Sequence, residues 1–237
     1  MAVDDLPLPV VTFLNAIGIK WPYINEDSLH HLATLTREFG QAVEQTHEDA
    51  TQAVAGIAKG YQGASTQKMS SGWAGLSATH VDELVDACKI LADAIDAWAV
   101  YVIAQKGQAL LQLGELALSY AAAIAAAPET LGASLAALPG LEELGEALGN
   151  SLLQDLEQYV QGMVIEAASK PLVAKVEAML QGLDWSNAPG GVDPLGSASI
   201  SLDKSVVDQH VGLLREHAET MRSHAVNFKS QAAEIEF

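Results

Sequence analysis

Three histidines near the carboxyl end, His210, His217 and His224, recur at intervals of seven residues. Such a spacing could serve metal binding or a response to pH. Two helical turns separate neighbours by about 10.5 Å along a helix axis, so adjacent histidines of one helix cannot easily share a zinc ion. A metal site within one chain therefore fails on geometry. Protonation below about pH 6.5 could loosen a packed seam that these imidazoles border, although solvated histidines flanking the seam are the simpler interpretation.

The other reactive side chains do not form a recognisable catalytic pattern. Cys88, the single cysteine, falls within an apolar helical stripe, where a thiol usually fills a small space in the core. Carboxylate pairs such as Glu142-Glu143 are typical of solvated helix faces, because a catalytic pair must converge with other groups. There is no HExxH, paired CxxC, glycine-rich phosphate loop or nucleophile elbow. We therefore predict no catalytic residue, no metal and no cofactor. A catalytic domain with convergent carboxylates is a third alternative, after a binding module and a pore former.

Charge narrows the choice of partner. The 237 residues include 30 acids and 12 Lys or Arg, which gives a formal net charge of −18. This charge disfavours nucleic acid and anionic membrane surfaces and favours basic protein partners. Asp4 and Asp5 stand where a secretory signal needs basic residues, so an ordinary signal peptide is not indicated.

Apolar spacing predicts long helices in the first half of the chain. A short helix is expected over residues 9–17, and a second, capped by Asn25, runs for about 50 Å to Gly60, where a left-handed residue should end it. The next helix has apolar residues spaced alternately three and four apart from Val81 to Val102, and it continues to Pro128.

The carboxyl-terminal part changes character twice. Residues 184–202 are rich in Gly, Pro and Ser and are interpreted as a flexible linker. Residues 203–237 then read as an amphipathic helix that packs on the bundle or on a partner. Its seam places large residues every seven positions and interleaves mostly alanine between them: Val207, Leu214, Met221, Phe228 and Ile235, with Val211, Ala218, Ala225 and Ala232. No strand pattern is convincing, so the predicted class is all-α, an elongated bundle of long antiparallel helices.

An aromatic elbow, Tyr61-Gln62-Gly63, joins the two longest predicted helices, and Trp73 follows in the second one. A hairpin with such an elbow presents a recognition surface and points to binding and away from catalysis. On local residues alone, the alternative is a helix stop at which a tyrosine packs over the turn.

The combination of a long helix, Tyr61-Gln62-Gly63 and a second helix with Trp73 resembles the WXG family of helical-hairpin proteins, with tyrosine in place of the usual tryptophan. The stretch from Lys20 to Asp27, followed by an alanine-rich helix, looks more specifically like the WXG-like N-terminal domains of large actinobacterial type VII-secreted toxins. One such domain belongs to a mycobacterial outer-membrane channel and necrotizing toxin. On this resemblance, residues 1–183 form a WXG-like helical domain that contains a WXG-type helical hairpin.

The resemblance implies a non-enzymatic trafficking role. Tyr61, Gly63 and Trp73 are the residues that match the partner and secretion motif. The implied partners are small helical WXG-like proteins and the type VII secretion machinery, so the protein would be made in the cytoplasm and secreted. The family's export signal, a tyrosine followed four residues later by an acid, matches Tyr23 and Asp27 in letters but precedes the first long helix. Such a domain normally precedes a variable toxic domain.

A membrane-inserting channel or pore former is the alternative function. Gly107 to Ala127 is long enough to span a bilayer and carries one charge, Glu115, although much of its apolar content is alanine. A buried central helix is the ordinary interpretation of such a segment.

Overall fold

The computed structural model describes residues 6–22, 24–165, 170–175, 177 and 201–236. The chain divides into two compact units. Unit 1 takes Met1–His31, Ala94–Ala167 and Glu236–Phe237, and unit 2 takes Leu32–Asp93 and Ala168–Ile235.

The first helices begin and end close to where their sequence signals place them. Helix α1 covers Leu8–Ile17 and ends at Gly18, whose φ of 72° is left-handed. Helix α2 covers Glu26–Gly60, and Asn25 Oδ1 accepts a hydrogen bond from the Ser28 backbone N–H at 3.1 Å. The predicted cap and the predicted length of α2 are both confirmed, since 35 residues span about 52 Å.

The second arm of the hairpin is helical from the elbow to Ala125. Strand β1, Tyr61–Gln62, is followed by helix α3, Ala64–Leu76, and helix α4, Asp82–Ala125. A π-helical turn, Ser77–Val81, joins α3 to α4. A π-turn takes in one residue more per turn than a regular α-helix does, so it rotates the apolar face of α4 relative to that of α3.

The remaining elements complete an all-α architecture. A 3₁₀ turn over Ala133–Ala137 leads into helix α5, Leu138–Tyr159, which continues as a π-turn over Val160–Ile165. Strand β2, Ser201–Leu202, pairs antiparallel with β1, and helix α6 covers Lys204–Ala233. The two-residue β pairing was not anticipated, but the predicted all-α class is confirmed. Most of the predicted linker, residues 184–200, lies outside the described residues, and its last two residues form β2.

The core of unit 1 forms where α1, the start of α2, α4 and α5 pack. Phe13, Leu29 and Leu113 are almost completely buried there. Helix α5 approaches α1 closely at Gly145, where a Cβ atom would lie 2.8 Å from the Phe13 ring. A side chain at that position would therefore push the two helices apart.

A buried ion pair lies in the same core. Lys106 Nζ lies 3.0 Å from Glu26 Oε1, with side-chain exposures of 0% and 2%, and it donates a hydrogen bond to the Ile24 carbonyl oxygen at 2.6 Å. This pair is not evident from the sequence, because an acid in the first turn of a helix is already favoured by the helix dipole.

The core of unit 2 lies between the two arms of the hairpin and α6. Cys88 is buried against Gly40, and burial raises the pKa of its thiol, so the sulfur acts as the small core filler that was predicted. Phe39 of α2 and Phe228 of α6 stack with ring centroids 4.9 Å apart.

Gly60 corrects one expectation. It is the last residue of α2 and does not have the left-handed conformation predicted for it. Its lack of a side chain has a different use, because a Cβ atom would lie 2.7 Å from Val206 Cγ1. Gly60 also accepts a hydrogen bond at its carbonyl oxygen from the Asp203 N–H at 2.8 Å. The glycine thus admits the start of α6.

The seam of α6 is a second correction. Ala218 and Ala225, predicted to lie in it, are exposed, whereas His210, His217 and His224 are half-buried. A Cβ atom on Gly56 would lie 2.3 Å from the His210 ring, so this imidazole packs directly on the α2 backbone. Because Gly56 has no side chain, α2 leaves room for the imidazole of His210. The contact face of α6 therefore includes these histidines and not Ala218 or Ala225.

Candidate recognition site at the helical elbow

Hydrogen bonds hold the elbow in place on both sides. Tyr61 pairs with Leu202 and Gln62 with Ser201 in the two-stranded ladder. The Thr66 hydroxyl donates to the Tyr61 carbonyl oxygen at 2.6 Å, and its N–H donates to the Gly63 carbonyl oxygen at 3.1 Å. The elbow is therefore a defined structure, in which Tyr61 and Gly63 are half-buried and not the exposed turn that was expected.

Gly63 does not need the conformational freedom of glycine. Its φ of 177° and ψ of 173° describe extended backbone that any residue can adopt. A Cβ atom there would lie 3.6 Å from the Tyr61 ring, an ordinary van der Waals distance. The fold thus tolerates alanine at this position, and Gly63 itself places no side chain against the Tyr61 ring.

Trp73 faces the opposite arm of the hairpin. Its ring stacks on His47 with centroids 5.1 Å apart and planes 12° apart, and its indole N–H donates to the Thr51 hydroxyl at 2.9 Å. A hydrogen bond of 2.6 Å joins His47 Nε2 to Ser77 Oγ. We call these four residues, His47, Thr51, Trp73 and Ser77, the clasp, because they tie α2 to α3 and the π-turn.

The structure brings two of the three predicted site residues together. Tyr61 and Gly63 are in contact, whereas Trp73 is ten residues further along, about 15 Å of helix. The elbow and the clasp are thus separate patches of unit 2. The letters of the family's export signal fall on Tyr23 and Asp27. Tyr23 lies outside the described residues, and Asp27 lies in the first turn of α2.

Sequence reasoning missed the clasp partners of Trp73. Thr51 and Trp73 are each eleven residues from Gln62, and His47 and Ser77 are each fifteen residues from it. A hairpin folded symmetrically about Gln62 would have placed both pairs opposite each other. Symmetry about the elbow is therefore the signal that could have found them.

The clasp has an uneven electrostatic environment. Burial lowers the pKa of His47 below its ordinary value of 6.5, while the nearby carboxylates of Asp82 and Glu48 act in the opposite direction. The imidazole is therefore held mainly in its neutral form, which suits its stacking on Trp73 and its hydrogen bond with Ser77.

The carboxyl-terminal histidines are not gathered into a metal centre. Among the described residues, no group of three or more His, Cys, Asp or Glu side chains could hold a metal ion. His210 Nδ1 is buried and has no hydrogen-bond partner there, and His224 Nε2 lies 3.1 Å from Thr46 Oγ1. These two histidines contact α2, which contradicts the simpler interpretation of solvated side chains. Loosening of the seam on protonation stays a prediction.

One structural finding bears on the alternative that the chain inserts into a membrane. Within the part of the chain that the structure describes, no helix is long and apolar enough to cross a membrane.

Comparison with known proteins gives one match. Residues 4–140 match the family described as the WXG100 like domain, a range that includes the elbow, the clasp and all of α4. Domains of this family are helical modules associated with type VII secretion, and they interact with helical partner proteins. No curated protein and no solved structure matches the chain.

Proposed function

We propose that this chain, which belongs to the WXG100-like family, is a non-enzymatic targeting module that binds a small helical partner and is exported with it by a type VII secretion system. The observation that carries the proposal is the family match over 4–140, which covers the whole hairpin from α2 through the elbow to α4. Unit 2 has the local features such a module needs: a defined elbow and two arms fixed to each other by side chains.

The elbow supplies the recognition patch in this proposal. Tyr61 is partly accessible, and Gly63 places no side chain against its ring. The patch is already ordered by the Thr66 hydrogen bonds and the β1–β2 pairing, so a partner would not have to bear the entropic cost of ordering it.

Trp73 contributes in a different way. Its indole already stacks on His47 and donates a hydrogen bond to Thr51. We therefore assign Trp73 the role of fixing the two arms of the hairpin to each other, and not of contacting the partner directly. Loss of the clasp should therefore reduce recognition through the geometry of the hairpin.

The finer part of the proposal concerns context. By its resemblance, the chain is the N-terminal trafficking domain of an actinobacterial toxin or effector, made in the cytoplasm and delivered outside the cell. The toxic activity would reside in a different domain.

An export assay tests the proposal. Gly63→Ala and Tyr61→Ala are expressed in a host with an active type VII system, and the secreted fraction is compared with that of the wild type. Gly72→Ala is the matched control, because a Cβ atom on this exposed α3 glycine would meet nothing within 4 Å. We expect both elbow variants to fold and to be exported poorly, and the control to be exported normally. Normal export of both elbow variants would remove the elbow from the mechanism, and absence of wild-type export would contradict the proposed function.

A further inference from the structure

Helix α4 carries a second apolar seam on its outer side. The seam consists of eight residues spaced alternately four and three apart, which is the pattern of a coiled-coil contact line. We call it the outer seam: Val100, Ala104, Gly107, Leu111, Gly114, Leu118, Ala121 and Ala125. All of its members belong to unit 1, and they extend over about 39 Å of helix.

The outer seam is open, although its residues are of core type. Val100, Leu111 and Leu118 are 60%, 75% and 65% exposed. The residues that face the interior of unit 1, such as Val102 and Leu113, lie on another side of the same helix and are fully buried. The helix thus has more apolar faces than its own unit covers, and an exposed contact line of this length marks an interaction surface.

The glycines give the outer seam a notched profile. A Cβ atom on Gly107 or Gly114 would meet nothing within 4 Å, so both positions are open to the outside. Leu111 projects between these two gaps, and Leu118 follows the second one. Alternating gaps and projections are what knobs-into-holes packing by another helix requires.

A groove extends the seam at its carboxyl end. It lies between α1 and α4, encloses about 430 Å³ and is lined by apolar side chains that include Leu8, Phe13 and Ile124 together with Ala121 and Ala125 of the seam. A helix lying along the outer seam could therefore place a large side chain in this groove.

The negative charge of unit 1 indicates which kind of helix would bind to the outer seam. Between Ala94 and Ile165 the sequence has eight acids, and its only basic residue is Lys106, which is buried beside Glu26. Glu115 lies beside the outer seam, because it follows Leu111 by four residues and precedes Leu118 by three on the same helix. Asp155 lines a crevice between α4 and α5. A second copy of the chain would bring like charges together, as would an anionic lipid surface. A helix with Lys or Arg beside its apolar stripe would be attracted instead.

We infer that the outer seam is the docking line for one helix of a partner polypeptide, with large apolar residues opposite Gly107 and Gly114 and with basic residues on the side that faces α5. This inference rests on the proposed function, because it names the surface of the module that the helical partner covers. It places that contact on α4, apart from the elbow.

Two designed helical peptides of about 26 residues, the length of the seam, serve as probes. Both carry the same alternating leucine and alanine stripe, and they differ only in flanking residues, lysine in one and glutamate in the other. Binding to the full chain is measured by fluorescence anisotropy at low and at physiological salt. We expect the lysine peptide to bind at least about tenfold more tightly, by a margin that shrinks as salt rises. Equal binding of the two peptides would overturn the charge assignment.

Variants locate the site. Leu118→Asp should weaken binding of the lysine peptide by about tenfold or more, since it puts an unpaired charge under the docked helix. Val226→Asp, at a residue of α6 that is similarly exposed at 61%, is the matched control and should leave binding unchanged. If both variants bind as the wild type does, the outer seam is not the site.

Gly114→Leu distinguishes knobs-into-holes packing on the outer seam from nonspecific apolar binding. The substitution adds apolar area and helix propensity, so the chain should fold, but it fills one notch. We expect weaker peptide binding, whereas nonspecific apolar adhesion would become stronger.

A small WXG100-type protein encoded beside this chain is tested in parallel. If it binds the wild type and Leu118→Asp equally, the seam inference fails and the proposed function stands; if it does not bind the wild type, the proposed function fails.

Discussion

The buried pair between Lys106 and Glu26 gives a quantitative prediction. Lys106→Met keeps a side chain of similar length and flexibility, so the cavity left behind is small. It removes the charge that lies 3.0 Å from a carboxylate only 2% exposed, and it removes the donor to the Ile24 carbonyl oxygen. Leaving such a carboxylate buried without compensation costs about 3–5 kcal/mol. That is a large share of the stability of an ordinary domain, about 5–15 kcal/mol.

Urea unfolding followed by far-ultraviolet circular dichroism measures this loss. With a denaturant slope of about 2–3 kcal/mol per M, the midpoint should fall by about 1–2.5 M. The double variant Glu26→Leu with Lys106→Met should recover part of the loss, because no charge is left buried, and should retain a deficit of about 1–3 kcal/mol from the unsatisfied Ile24 carbonyl group.

An exposed pair provides the control. Lys204 pairs with Asp208 four residues later on α6, and its side chain is largely in solvent, so Lys204→Met should leave the midpoint unchanged. Two results would refute the reasoning: a Lys106→Met variant as stable as the wild type, or a double variant no more stable than Lys106→Met alone.

Three further predictions concern unit 2. Trp73→Phe keeps an aromatic ring but loses the donor to Thr51, so the free energy of unfolding should fall by about 0.5–1.5 kcal/mol, and Thr51→Val should add little in that background. The lowered pKa of His47 means that the unfolded chain takes up this proton first; the free energy of unfolding should therefore decrease as the pH falls below 6.5, and His47→Gln should remove that part of the pH dependence in urea titrations. Gly56→Ala would put a Cβ atom 2.3 Å from the His210 ring and should lower thermal stability through about 1–3 kcal/mol of overpacking; His210→Ala should relieve it, and a Gly56→Ala variant as stable as the wild type would show that α6 does not pack there as described.

The helices were predictable because their signals are local. Asn25 marks the start of α2 by a hydrogen bond to a backbone group three residues away, and the three-and-four spacing of apolar residues follows from helical geometry alone. The same local rules predicted α1 and the start of α6 near Asp203.

The errors concern residues whose role depends on a distant partner. Gly60 was assigned a backbone conformation, but it is a glycine because Val206 approaches it. His210 was placed beside the seam, since nothing near it in sequence reveals that Gly56 has room for a ring. Only the fold shows that Lys106 compensates the charge of Glu26.

The candidate site was only partly accessible to sequence reasoning. The motif letters identified Tyr61, Gly63 and Trp73, but not that Trp73 is held by His47 and Thr51. Trp73 was grouped with the elbow because the family motif groups them, whereas ten helical residues separate it from Gly63.

The most direct test of the central claim is the mass of the complex that the chain forms with the small WXG100-type proteins encoded in its own genome. The full chain is co-expressed with each of them and measured by size-exclusion chromatography with light scattering. A partner-binding module predicts a stable species whose mass equals that of the chain plus one such protein. If the chain elutes alone beside every candidate, at the mass of the 24.9 kDa polypeptide or of its own oligomer, the account of this protein as a partner-binding module is contradicted.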